Sequence, residues 1–248
     1  MHETLTILRR ELKSYFYSPI AYVFGLLFLV TTCWVLGSQM FVMQNMQADL
    51  SQWFMFFPLL FLFFLPALTM RLWAEERKSG TLELLLTFPV TIPQLIAGKF
   101  LASLSYLVVL LLLTFLLPIT MGIFGDLDWM PVLATYLAAV LLAGSYTAVG
   151  MFWSSITRDQ IIAFLLALVT LAFLYFMPTF IPLLMGKWPV WLGGDAIVLF
   201  ALALSPQQYF GSISRGVVDS GDLVYYVCFC AFFLHANALV LHWKKIKG

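Results

Sequence analysis

Ser145 and His235 have the side-chain types of a nucleophile and its base, and each lies inside an apolar stretch. Brought within hydrogen-bonding reach, a serine and a histidine could carry out covalent hydrolysis inside a membrane. Cys228 and Cys230 are two apart, so on a helix they point to separated faces and suit neither a disulfide nor a metal. Together with Cys33 they read as small buried hydrophobes. Nucleotide chemistry has no foothold. No Gly-x-x-x-x-Gly-Lys-Ser/Thr occurs: Gly98-Lys99 is followed by Phe100, and Pro93 stands where the first glycine of a phosphate loop would be. No metal or cofactor is expected on this chain, and any ATP and magnesium that drive it must sit on a partner.

These residues have to be positioned by elements that lipid will tolerate. Of the 248 residues 62% are hydrophobic and 10% charged, and the mean hydropathy is +0.97, far from the composition of a water-soluble domain. A formal net charge of +1 with no long basic block excludes a nucleic-acid partner. A span needs about 20 mostly apolar residues to cross ~30 Å of hydrocarbon. Six segments qualify, at about 20–41, 53–70, 100–123, 131–154, 160–181 and 223–243, with Pro178 and Pro182 expected to break the fifth near its far end. The expected fold is a single all-α transmembrane domain over 1–248. No span carries a clear mid-membrane charge, which argues against a proton- or ion-coupled carrier. No inverted repeat points to a secondary carrier either.

Lysine and arginine set the orientation, because cytoplasmic loops retain positive charge. With both termini inside, Arg9, Arg10, Lys13, Arg71, Arg77, Lys78, Lys99, Arg158, Lys244, Lys245 and Lys247 fall in the cytoplasm, and only Lys187 and Arg215 outside. Ahead of the first span, Leu5, Leu8, Leu12, Tyr15 and Phe16 recur at helical spacing opposite Glu3, Thr6, Arg9, Arg10 and Lys13. This predicts an amphipathic interfacial helix over 1–18 that meets lipid headgroups or a partner and enters the bilayer after Ser18-Pro19. The acidic residues of this leader and the lack of a small-x-small site predict that it is retained. Between the fifth and sixth spans, Trp188, Trp191 and Gly193-Gly194 precede an apolar run too short to cross, as expected of a re-entrant segment over 188–206.

The largest cytoplasmic loop, 71–90, is not an ordinary connector. Its charged start, Glu75-Glu76-Arg77-Lys78, reads as a solvated helical turn, and Gly80 allows a break. Thr81 can cap a second short helix with Glu83 at the positive end of its dipole. Leu82, Leu84, Leu85 and Leu86 make that helix greasy, and an exposed apolar turn beside charges has the character of a docking element.

The pattern Glu75-Glu76-Arg77-x-x-Gly80-Thr81-x-Glu83-x-Leu85-x-x-x-Pro89, with Gly98-Lys99 downstream, resembles the permease subunits of ABC-2-type ABC transporters, nearest to the short permeases of the gliding-motility and copper-enzyme-maturation type. A second match runs through Leu204-Ser205-Pro206, Arg215-Gly216-Val217-Val218-Asp219 and Asp222-Leu223. The resemblance implies a type V exporter-like domain in a bacterial inner membrane, paired with a second copy or a related permease. It also implies two copies of a separate ATPase subunit, with room for a periplasmic or membrane accessory protein. It places coupling to the ATPase on Glu75, Glu76, Arg77, Gly80, Thr81 and Glu83, with a smaller contact at Arg158. The second span, with Phe57, Phe61 and Phe64, would line the translocation route of an apolar or amphipathic substrate, and His235 and Asn237 are candidate cavity groups.

The rival reading is an intramembrane serine protease of the rhomboid type, built on Ser145 and His235. That family places glycine two before and one after its serine, where this chain has Ala143 and Tyr146. Ala138, Ala139, Gly144, Ala148 and Gly150 instead make the neighbourhood of Ser145 a close-packing helix face.

Overall fold

The computed structural model describes residues 2–42, 50–87, 90–125, 127–185 and 194–247. Among these residues thirteen helices follow one another: α1 (His2–Tyr17), α2 (Pro19–Val42), α3 (Ser51–Met55), α4 (Phe57–Thr69), α5 (Arg71–Lys78), α6 (Thr81–Thr87), α7 (Ile92–Thr114), α8 (Leu116–Phe124), α9 (Trp129–Ile156), α10 (Gln160–Met185), α11 (Gly194–Leu204), α12 (Pro206–Ile213) and α13 (Ser220–Lys247). No strand occurs among the described residues. Among the described residues six stretches are long and apolar enough to cross a membrane: α2, the run α3–α5, the run α7–α8, α9, α10 and α13. In hydrocarbon no water satisfies the backbone, so every span is a helix that bonds within itself.

Local chemistry sets the boundaries. Ser18 separates α1 from α2, and Pro19 opens α2, where its missing N–H is no loss. Asp128 starts α9 by accepting the Met130 N–H at 3.1 Å. Thr91 and Gln94 form a reciprocal capping box that begins α7 at Ile92, eight residues ahead of the expected span. Lys99 therefore lies inside a helix instead of before one.

The fourth span is the hub. In the most apolar 18 residues of α9, 72% are buried, against 61% for the second span and 11% for the sixth. It touches α4, α5, α7, α10, α12 and α13. Ala138, Ala139, Ala143, Gly144, Ala148 and Gly150 are enclosed, so backbones approach closely and dispersion accumulates where lipid supplies no hydrophobic drive. At Gly150 a Cβ would lie only 2.9 Å from Thr69 Cβ of α4. Beside this seam an aromatic core joins Trp53, Phe54, Phe57 and Phe61 to Phe28 and Tyr136, with centroids 4.9–6.2 Å apart in tilted, edge-on and stacked pairs. The Trp53 indole N–H, unable to find water there, donates to Thr32 O at 3.1 Å.

The cysteines depart from the sequence reading. Cys33 and Cys228 are exposed on the outside of the bundle, where lipid accepts a thiol as readily as a core does, and Cys230 is half-buried. All three are free.

α10 corrects a second expectation, for it runs through Pro178 and Pro182 without a break. Pro178 cannot donate to Leu174 O four residues back, and the freed carbonyl is taken by the hydroxyl of buried Ser205 at 2.9 Å. Ser205 stands between α11 and α12, and tyrosine hydroxyls secure the same corner. Tyr209 donates to Ala203 O, Tyr225 to Leu204 O and Tyr226 to Pro206 O, at 3.1, 2.6 and 2.7 Å. The first two phenols occupy carbonyls at the end of α11, and the third ties down the start of α12. At 11 residues, α11 extends about 17 Å and is too short to cross. Trp188, Trp191 and Gly193 lie outside the described residues.

Ser205→Ala should lower the thermal unfolding midpoint in detergent, at a cost of about 1–3 kcal/mol for one orphaned buried carbonyl. In a Pro178→Ala background the restored N–H serves Leu174 O, so the same Ser205→Ala change should cost little. A double-mutant cycle by tryptophan fluorescence checks this, and equal costs in both backgrounds would refute the pairing.

Candidate functional site

The end of the second span and the segment after it fold as a hairpin, α5 and α6 joined by Ser79-Gly80. Gly80 has φ +72°, the left-handed region that a side chain disfavours. Around it Ser79 Oγ donates to Glu75 O at 2.9 Å and lies 2.8 Å from Thr81 Oγ1, which reaches Glu76 O at 3.3 Å. Glu83 sits in the first turn of α6, where the helix dipole favours a carboxylate.

The residues grouped by the sequence reading divide into two faces. Glu75, Lys78, Gly80, Thr81 and Glu83 are exposed and form a polar tip. Glu76 and Arg77 turn inward with the buried Leu72, Trp73, Ala74 and Leu82. The side chains of Leu84 and Leu86, and residues 88–89, lie outside the described residues.

Glu76 meets Lys99, which is 2% exposed and extends its ammonium between two carboxylates: Glu76 Oε1 at 2.8 Å and Glu11 Oε1 of α1 at 3.2 Å. The Trp73 ring lies 5.0 Å from the ammonium, and Arg10 stands 3.8 Å from Glu76. A buried lysine between two acids keeps its charge compensated, whereas alone it would carry a large desolvation cost. The cluster binds α1, α5 and α7 into one unit. Glu11 was not singled out from sequence, although it stands on one stripe with Ile7, Leu8 and Tyr15, the face α1 turns to α7. Gly98 keeps that approach close, because a Cβ there would lie 2.7 Å from Ile7 Cγ2. Arg71 donates to Ser18 Oγ at 2.6 Å and lies 5.3 Å from the Tyr15 ring. Burial raises the Tyr15 phenol well above its usual range, so this ring stays neutral beside Arg71. A 460 Å³ polar cavity opens between α1, α5, α6 and α7 and is lined by Arg10, Glu75, Glu76, Thr81 and Lys99 among others.

A second grip holds α5 to the fourth span. Thr69 ends α4 and Arg71 starts α5, and Ser154 of α9 bridges the break. Its hydroxyl donates to Met70 O at 2.8 Å and accepts the N–H groups of Trp73 at 3.0 Å and Ala74 at 3.2 Å. Arg77 reaches Ser155 O at 3.4 Å and also Ile156 O, and Lys244 of α13 donates to Ser155 O. Cations at the last carbonyls of α9 match the negative end of its dipole. Arg158, in the loop that follows, is exposed.

The remaining candidates separate. Phe57 and Phe61 are enclosed in the aromatic core, while Phe64 borders a 320 Å³ apolar groove with Phe24, Leu27, Phe63 and Phe164. Asn237 is fully buried with both amide atoms unpartnered, and His235, two residues earlier on α13, is exposed on another face. Ser145 is enclosed and pairs with Leu141 O at 3.3 Å and Cys230 Sγ at 3.6 Å, not with His235. The serine-histidine dyad is not formed, and the protease reading falls with it. Among the described residues no cluster of three His, Cys, Asp or Glu could hold a metal.

Lys99→Met should cost about 3–5 kcal/mol, because it leaves two inward carboxylates facing each other without a cation. A lower unfolding midpoint and faster proteolysis of the segment ahead of Pro19 check this. The triple variant Lys99→Met, Glu11→Gln, Glu76→Gln should regain part of the loss, since no charge is then left buried.

The hairpin and the start of α7 carry the first of the two sequence motifs, and a comparison with family models extends well beyond it. The model described as ABC-2 family transporter protein matches residues 5–222, from α1 into the first turn of α13. No match is found among curated proteins. Six apolar spans, an all-helical fold and a family match over most of its length make this chain a member of the ABC-2 family of membrane transport proteins, a multi-pass permease of the ABC transporter class.

Proposed function

We propose that this chain is the non-catalytic membrane subunit through which a separate ATPase drives export or force transmission across a bacterial inner membrane. In this reading both termini and the hairpin lie on the cytoplasmic side, which the distribution of lysine and arginine supports. Two ATPase subunits, carrying the ATP and magnesium, dock on the polar tips of two such hairpins. The observation that carries this reading is the two-faced hairpin: Glu75, Thr81 and Glu83 face solvent, while Glu76, Arg77 and Leu82 hold the helices behind them. A push on the tip is then delivered to α1 and α7 through Lys99 and to α9 through Ser154.

A second permease, identical or related, completes the pathway. The apolar groove between α2, α4 and α10, bordered by Phe24, Phe63, Phe64 and Phe164, supports a partner of the same lipid-immersed kind packing there. An apolar or amphipathic substrate suits a bundle whose spans carry so little charge.

Purification from native membranes with mass spectrometry should recover two ATPase chains per two permeases. A preparation reproducibly free of ATPase would overturn the reading. Glu83→Ala changes only the exposed tip, and Gly80→Pro forbids the φ the turn adopts. Both should leave membrane insertion intact and abolish coupled activity, read as loss of permease-dependent ATP hydrolysis, and normal coupling in both would remove the assignment to this hairpin.

A further inference from the structure

At the end of the bundle away from the hairpin, a 570 Å³ cavity opens between α3, α4, the start of α9, α10 and α12. Its volume falls in the range of ligand sites, about 300–1,000 Å³. Phe54, Pro58, Val132 and Phe210 are buried residues of its apolar wall. Its polar groups are arranged for something that is not protein. Asp128 and Arg215 both line it and both are exposed, yet no ion pair joins them, and among the described residues Arg215 has no ion-pair partner. Gln207 lines it as well, and its Oε1 is buried without a hydrogen-bond donor. Three groups therefore border one space: an exposed guanidinium without an ion-pair partner, an exposed carboxylate that caps α9 through Oδ1 and has no cation beside it, and a buried amide oxygen without a donor.

We propose that this cavity binds the headgroup of a zwitterionic phospholipid that bears a primary ammonium, of the ethanolamine type. The phosphate pairs with Arg215. The ammonium, with N–H groups to donate, meets Asp128 and Gln207 Oε1, and the upper parts of the acyl chains lie along Phe54, Pro58 and Phe210. A choline headgroup has no N–H for Gln207, and a glycerol headgroup offers no cation to Asp128, so the site discriminates by headgroup. The site stands at the starts of the second and fourth spans and just ahead of the sixth, the level at which headgroups lie. The inference rests on the membrane placement proposed above but not on the coupling mechanism.

The test uses the full chain with whatever subunits co-purify, reconstituted in nanodiscs of equimolar phosphatidylethanolamine, phosphatidylcholine and phosphatidylglycerol, then released for native mass spectrometry. The wild type should retain the ethanolamine lipid about tenfold over the other two, and Arg215→Gln should lose that retention by about tenfold, as for one charge-assisted contact. Asp128→Asn and Gln207→Leu should erase the preference for ethanolamine over choline and glycerol headgroups. Arg215→Gln changes an exposed side chain, and an unchanged unfolding midpoint identifies its effect as loss of binding. Equal retention of the three lipids, or undiminished retention by Arg215→Gln, would overturn the proposal. Displacement by water-soluble glycerophosphoethanolamine at equal concentration would overturn the lipid assignment in favour of a free phosphate ester. Scoring the ATPase in the same preparation separates this result from the transporter reading, since either can fail alone.

Discussion

The ammonium of Lys99 is the charge around which the hairpin end of this protein is arranged. Sealed to 2% exposure, it can be neither hydrated nor left alone, and the chain answers with carboxylates from two other elements. Because Glu11 comes from α1 and Glu76 from α5, compensating one charge fixes the positions of three helices. Hydrophobic burial cannot do this work here, since lipid is as apolar as any core and gives little reason for one helix to prefer another. Polar contacts with defined partners therefore specify the assembly. Ser154, Arg77, Ser205 and the tyrosines Tyr225 and Tyr226 apply the same rule elsewhere, each supplying a partner that the backbone of another element lacks.

This division of labour explains why the hairpin has two faces. The tip stays exposed through Glu75, Thr81 and Glu83. The base is attached to the helices behind it through Glu76, Arg77 and Leu82. Helical periodicity separates the two sets, turning neighbours in sequence such as Glu75 and Glu76 of α5, or Leu82 and Glu83 of α6, to different sides.

The spans were legible because bilayer thickness imposes a length and a composition, and the amphipathic N-terminal helix because its period is strong. The grips were not. Glu11 reads as one more polar residue of a leader until α7 supplies Lys99 opposite it, eighty-eight positions away. Ser154 reads as a small packing residue, since nothing local to it reveals the backbone break at Met70. Pro178 was misread for a related reason. A proline breaks a helix when its freed carbonyl has no partner, and that partner, Ser205, lies thirty-one residues on. The exposed Cys33 and Cys228 mislead in the opposite direction, because in lipid an apolar side chain gains little from facing inward. Ser145 and His235 share the right residue types without sharing a face, which sequence spacing across separate helices cannot reveal.

The bridge at Ser154 has one more consequence. A hydroxyl has one proton to give and two lone pairs to receive with, and here all three are engaged, on Met70, Trp73 and Ala74. No capacity remains for a water molecule to enter and ease the break open by degrees. One side chain therefore closes the junction of α4 and α5, and a change that removes its hydroxyl takes away three hydrogen bonds in a single stroke.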